Sequence, residues 1–161
     1  VEAILRASDG SIYLGGKFST TLSGENAIAA GVVGGADLNV SSGSAKTYPY
    51  IEVIGPGKLN SITNYSTGAQ IAFDNLTINQ GETISFDLDP LTLKFESSWV
   101  GGSRGSILRY VNPCSDYGNF YLKPGYNTIS VFMDKSTITS ATKAWMAWKP
   151  KFWGIDGALL E

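Results

Sequence analysis

The chain has 161 residues, a formal net charge of -2 and no histidine, a size that suits one domain or one domain plus a short appendage. Hydrophobic residues make up 43% of it and charged residues 16%, which is enough apolar content for a core and excludes a disordered tail. The near-neutral balance argues against electrostatic binding to nucleic acid or anionic membrane, and no apolar run approaches the roughly 18 residues of a membrane-crossing helix.

The missing histidines remove a Ser-His-Asp triad, a Cys-His pair and any His-ligated zinc or iron site from within one chain. Cys114 is the single cysteine, so it forms no internal disulfide and lacks a histidine to activate it; a buried or weakly exposed thiol is expected. One free thiol fits assembly in a cytosolic environment. The chain opens on Val1 without a charged-then-apolar leader, and the expectation is a piece processed or cut from a longer protein.

In chain order, Ala3-Ile4-Leu5 and Ile12-Tyr13-Leu14 predict a hairpin around Asp9-Gly10, because Gly tolerates the positive φ of such turns. A Gly/Ala-rich stretch from about Ser23 to Ala36 has little periodicity, and Asp37 to Lys46 has the composition of a Gly/Ser-rich flexible linker. Residues 1–46 are therefore expected as hairpin and linker, and 47–161 as the main domain. From Tyr48 the pattern tightens. Strands are predicted at Tyr50 to Ile54, Leu59 to Asn64, Ala69 to Phe73, Leu76 to Ile78, Thr83 to Asp87 and Leu91 to Phe95. Further strands are predicted at Phe120 to Leu122, Thr128 to Phe132 and Ala144 to Trp148, with Pro124-Gly125 in a type II turn. No segment carries a three-turn amphipathic helix. The fold class is all-β, an antiparallel β-sandwich or jelly roll with a short N-terminal hairpin and linker.

Aromatic and acidic residues are the candidates for function. Alternation puts Trp145 and Ala147 on one strand face and Met146 and Trp148 on the other. One face enters the core; the other can present indole faces, which stack on the C–H faces of sugars. Phe152 and Trp153 either cover an edge or extend such a platform. Trp99 lies beside Gly101-Gly102-Ser103-Arg104-Gly105, so Trp99 and Arg104 in a loop tip suit contact with a ligand or a subunit. Glu82, Asp87, Asp89 and Glu96 are close in sequence and could supply a hydrolase's acid and base. Asp87 and Asp89 could instead hold Ca²⁺. Glu82 and Asp89 also have ordinary turn explanations, beside Gly81 and Pro90 respectively. Gly55-Pro56-Gly57-Lys58 and the Gly101 to Gly105 loop lack phosphate-loop spacing. Lys149 and Lys151 are too few for a nucleic-acid face and read as solvated surface. No catalytic residue, cofactor or metal is expected.

From Tyr48 onward the motif order resembles the C-terminal domain of siphovirus-type distal tail proteins and related phage tail components. The residues carrying this are Tyr48 to Gly57, Asn64-Tyr65-Ser66-Thr67-Gly68, Leu76 to Ile84, Tyr121 to Ile129 and Trp148 to Asp156, about two thirds of the chain. The resemblance implies a galectin-like or jelly-roll sandwich in a virion, assembled in the host cytoplasm among other tail proteins. It implies a homo-oligomer about a threefold or sixfold axis. Glu2 to Phe18 is instead similar to one propeller-type repeat, a unit that needs neighbours to bury its apolar face. A distal tail protein would carry a belt-like N-terminal domain here.

Three functions follow for testing. The first is a non-enzymatic structural or host-facing display domain of a phage or prophage tail. The second is a carbohydrate-binding module gripping host-surface glycan through Trp99 or Trp153. The third is a glycan hydrolase using the acidic cluster. Neither nucleic acid nor membrane insertion is expected.

Overall fold

The structure, a computed structural model, describes residues 3–6, 12–15, 32–40, 44–99, 104–149, 151–153 and 159–160. Its strands are β1 (Ala3–Arg6), β2 (Ile12–Gly15), β3 (Val32–Val40), β4 (Tyr50–Ile54), β5 (Gly57–Asn64) and β6 (Ala69–Ile78). They continue with β7 (Thr83–Asp87), β8 (Lys94–Ser97), β9 (Gly125–Met133), β10 (Lys143–Trp148), β11 (Phe152–Trp153) and β12 (Leu159–Leu160). Among the described residues every strand pairing is antiparallel. The order is β1-β2-β10-β4-β7-β8 in a six-stranded sheet and β3-β9-β5-β6 in a four-stranded one, with β11-β12 apart. Among the described residues there is no α-helix, only 3₁₀ turns at Leu108–Tyr110 and Tyr117–Asn119. The expected all-β class is the observed one. None of the described helices is long and apolar enough to cross a membrane.

Period-two alternation builds the core. Ile51 and Val53 of β4, Ile84 and Phe86 of β7, and Ala144, Met146 and Trp148 of β10 are buried from one sheet. Leu59 and Ile62 of β5, Ile71, Phe73, Leu76 and Ile78 of β6, and Ile129, Val131 and Met133 of β9 complete the same apolar cluster from the other. Phe73 meets Phe86 across it with ring centroids 5.4 Å apart, and Phe86 meets Phe95 at 5.3 Å. Each such side chain, fully buried, contributes about 1.5–3 kcal/mol.

Four sequence expectations need correction. The linker expected over Asp37 to Lys46 is in part strand: β3 runs through Asp37 to Val40 and pairs along β9, from Val32↔Phe132 to Val40↔Gly125. Backbone ladder bonds do not require apolar periodicity, which is why the Gly-rich composition hid it. Ala69 to Phe73 and Leu76 to Ile78 form one strand, β6, because a register shift opposite Asn60 absorbs Asp74 and Asn75. Asn75 sits there at φ 57, a conformation Asn tolerates better than most residues. The strand expected from Leu91 starts at Lys94, since Asp87 and Asp89 hold residues 89–92 in a turn. Asp89 Oδ1 accepts from the Leu91 amide at 3.0 Å, and the Thr92 amide donates to the Asp89 carbonyl at 3.0 Å. Phe120 to Leu122 makes a single bridge, Thr47↔Leu122, rather than a strand.

The expected N-terminal hairpin is present as β1 and β2, paired from Ala3↔Gly15 to Arg6↔Ile12; its Asp9-Gly10 turn lies outside the described residues. β2 also pairs with β10, at Met146↔Leu14, Ala147↔Tyr13 and Trp148↔Ile12. Strands from 1–46 thus join both sheets of 47–161.

Candidate functional site

The candidate residues fall into two groups, at opposite ends of β7. At its start stands Glu82, whose side chain is fully buried. Glu82 Oε2 accepts from the Asn79 amide and from Asn79 Nδ2, both at 2.8 Å, while Oε1 accepts from the Ser97 hydroxyl. Arg104 Nε lies 3.1 Å from Oε1. That N–H finds no acceptor in line, so the contact is an ion pair, and the guanidinium donates through its terminal nitrogen to the Thr77 carbonyl. One carboxylate therefore joins the β6–β7 turn, the end of β8 and the segment beyond it. Two guanidinium groups lie near the Tyr110 ring, Arg109 at 4.9 Å and Arg104 at 5.8 Å from its centroid. Trp99 is exposed here, and its amide donates to Ser97 Oγ at 3.1 Å. Gly101, Gly102 and Ser103 lie outside the described residues.

The far end of β7 carries Asp87 and Asp89. Asp87 Oδ1 accepts from the Asp89 amide at 3.1 Å and Oδ2 from the Thr92 hydroxyl at 2.7 Å. Asp89 Oδ2 is 3.4 Å from Lys151 Nζ. A strand of five residues is about 17 Å long, so Glu82 and Asp87 cannot act on one bond as acid and base. Glu96 is exposed, lies opposite Ser85 across β7 and β8, and has its backbone bridged to Ser106. Among the described residues no group of three or more Cys, Asp or Glu is placed to hold a metal ion.

Phe152 and Trp153 belong to this second end. They form β11, paired with β12, and both are exposed at 43% and 54%. The Trp153 amide donates to Ser44 Oγ at 2.9 Å, and the Ala45 amide to the Lys151 carbonyl at 3.0 Å. Trp99 and Arg104 therefore do not share a platform with Phe152 and Trp153. The alternation expected in β10 is observed: Met146 and Trp148 are buried, and Trp145 is half-buried on the other face. There its ring lies 5.8 Å from Tyr50. The Tyr50 hydroxyl donates to Glu52 Oε1 at 2.7 Å. Burial, and then Glu52, push its phenol above the usual range.

Sequence reasoning missed what surrounds Lys151. Residues 44–48 run between two strips, bonded to Lys151 on one side and to Leu122 on the other. Ala45 and Thr47 are buried, and the alternate residues Lys46 and Tyr48 turn outward. Lys46 Nζ lies 5.3 Å from the centroid of Tyr121 and 5.9 Å from that of Tyr48; Lys151 Nζ lies 5.9 Å from Tyr48 on its own account. The signal was a five-residue alternation lying across the expected linker boundary, too short to stand out.

Two further expectations resolve at the residue level. Cys114 is exposed rather than buried, because it sits in a surface turn closed by the Ser115 amide to the Asn112 carbonyl at 2.9 Å. In the Gly55 to Lys58 connection the amides are already engaged, Gly55 with the Glu82 carbonyl at 2.9 Å and Lys58 with Thr137 Oγ1 at 2.8 Å. No protein-family model, curated protein or solved structure matches the chain.

Proposed function

We propose that the chain is a non-enzymatic structural component of a phage or prophage tail, a tail-assembly or host-facing display domain. In this reading the two sheets form a galectin-like or jelly-roll β-sandwich. One observation carries it: the segments that bear the tail-protein resemblance are those that tie the two-sheet domain together. Leu76 to Ile84 includes the turn that Glu82 clamps. Tyr121 to Ile129 includes the turn that buried Asn127 staples, through the Lys123 amide at 3.0 Å and the Lys123 carbonyl at 2.7 Å. Glu82, Asp87 and Asp89 are all engaged in such contacts, which favours packing over hydrolysis.

Assembly would proceed through sheet edges and loop tips. Among the described residues β1 and β3 end their sheets without a second partner strand. Neighbouring tail proteins and copies about a threefold or sixfold axis are the proposed partners. Immunogold electron microscopy of particles from an induced culture, with antibody against this chain, tests the reading. Label at one end of the tail is expected. Unlabelled particles, with the protein free in the lysate, would overturn it.

The second reading, a carbohydrate-binding module for host-surface glycan, is favoured by the exposure of Trp99, Phe152 and Trp153. Indoles held at the surface suit stacking on sugars. A glycan array probed with the chain and with Trp99→Ala and Trp153→Ala separates the two ends of β7. Binding lost with Trp153→Ala alone would place the sugar beside Lys151; an array with no signal removes the reading.

A further inference from the structure

We infer that the surface around Tyr48 takes an acidic polysaccharide, one carrying carboxylate or phosphate groups; this rests on the glycan reading and names its ligand class. The site is built from three backbone strips. Residues 44–48 lie in the middle, and Thr47 exchanges bonds with Leu122, amide to carbonyl in both directions at 3.0 and 2.7 Å. Ala45 bonds to Lys151 on the other side. Buried Asn64 anchors the 121 strip from below, its Nδ2 donating to the Tyr121 carbonyl at 2.8 Å. The inward residues Ala45, Thr47, Phe120 and Leu122 are all buried, so the strips are fixed to the core.

Their outward residues are of two kinds. Tyr48 and Tyr121 present rings, and Lys46, Lys123 and Lys149 are exposed cations on the same strips. The Thr47 hydroxyl donates to the Lys149 carbonyl, which brings Lys149 against the middle strip. Phe152 and Trp153 extend the apolar part. Lys151 beside them pairs with Asp89, and among the described residues no ion pair involves Lys46, Lys123 or Lys149.

The manner in which Lys46 is held matters. A ring face attracts an ammonium through its quadrupole within about 6 Å and leaves the N–H donors unspent. Lys46 is so placed over two rings, which restricts it while its donors remain free for an anion. Aromatic faces for C–H surfaces beside unpaired ammonium groups match a sugar ring that carries negative charge. The net charge of -2 describes the distant field; within a Debye length of about 8 Å the local lysines dominate. Single-stranded nucleic acid also combines bases and charge, but it needs a basic groove that tracks a longer backbone, and this patch is compact.

The test titrates the full chain with polygalacturonate, poly(glycerol phosphate), neutral dextran and a single-stranded oligonucleotide, at low and high salt. The variants are Lys46→Gln with Lys123→Gln, both on exposed side chains, and Arg109→Gln at the other end of β7. Circular dichroism checks that each variant is folded. We expect one or both anionic polysaccharides to bind and to be weakened by salt. The double lysine variant should lose about tenfold in affinity, the sum of two exposed charge contacts, and Arg109→Gln should match the unaltered chain. Which of the two polymers binds distinguishes carboxylate from phosphate. Dextran bound as well as the anionic polymers, and equally by the lysine variant, would overturn the acidic assignment while the glycan reading stands. No saccharide bound would remove both. An oligonucleotide bound more tightly than either anionic polysaccharide would overturn it in favour of nucleic acid, as would equal losses from Arg109→Gln in favour of unspecific attraction.

Discussion

Arg104 and Glu82 form an ion pair at 3.1 Å in which the carboxylate is wholly shielded from water and the guanidinium side chain is 20% exposed. A buried charge with one partner removed is costly, on the order of 3–5 kcal/mol. Glu82 has three other donors, from Asn79 and Ser97. Arg104→Ala should therefore destabilise by less, about 1–3 kcal/mol. Glu82→Ala should cost at least as much as the larger figure, because it strips the β6–β7 turn of its acceptor. Urea denaturation of both single variants and the double variant measures this. If the two losses simply add, Glu82 and Arg104 are not coupled and the clamp is misassigned.

Gly55 allows a close crossing that no larger residue permits. A Cβ there would stand 2.3 Å from the Asn79 carbonyl oxygen and 2.7 Å from Ile78 Cγ2. The first obstacle is backbone in the turn that Glu82 fixes, so it cannot give way cheaply. Gly55→Ala should cost about 1–3 kcal/mol, in the range of core overpacking. Gly105→Ala provides the control, since a Cβ there meets nothing within 4 Å; it should shift the denaturation midpoint very little.

The strands with an inward apolar face were legible in the sequence. Tyr50 to Ile54, Thr83 to Asp87 and Ala144 to Trp148 alternate in the chain and in their burial, because a sheet covered on one face writes its pleat into the residue types. What failed to show was held by backbone or by side-chain acceptors. β3 follows β9 through ladder bonds that Gly and Ala make as well as Val does. The late start of β8 is set by two aspartates that satisfy turn amides, a local contact with no period. Exposed Trp99 and Trp153 were identifiable as residues, but their separation was not, since it depends on which end of β7 each loop reaches. The pairing of Lys46 with Tyr121 joins residues far apart in sequence, and nothing local announces it.

Asn127 is fully buried and closes the Pro124-Gly125 turn upon itself. Its Oδ1 accepts from the Lys123 amide, and its Nδ2 donates to the carbonyls of Lys123 at 2.7 Å and Gly125 at 3.1 Å. Gly125 supplies the left-handed position at φ 88. Asn127→Ala takes the side-chain partner from the Lys123 amide and from the Lys123 and Gly125 carbonyls, at about 1–3 kcal/mol for each that water cannot reach. A loss of about 3 kcal/mol is expected by thermal or chemical denaturation, larger than for Asn119→Ala on the exposed 3₁₀ turn. Equal, small losses at both sites would mean that water replaces the Asn127 contacts.

Asp134 gives the fold a dependence on acid. It follows β9, where its Oδ1 accepts from the Ser136 hydroxyl at 2.7 Å and from the Ser136 amide at 2.9 Å. The hydroxyl and then the amide hold its carboxyl below the usual aspartate range, with a smaller attraction from Lys58. Both bonds favour the charged form, so the unfolded chain takes up this proton more readily than the native one. The stability it confers is then present above the ordinary aspartate value of about 3.9 and is lost as pH falls through the lower native value. Ser136→Ala removes the largest contributor, and the Asp134 titration followed by NMR should move upward toward the ordinary value. Asp134→Asn should lower the denaturation midpoint at neutral pH, with the gap to the unaltered chain narrowing below about pH 4. The carboxylate is exposed, so the gap will be modest, and the Lys58 part of it should shrink with added salt. A gap that stays constant down to the acid limit would show that the side-chain shape at 134, and not its charge, supports the turn.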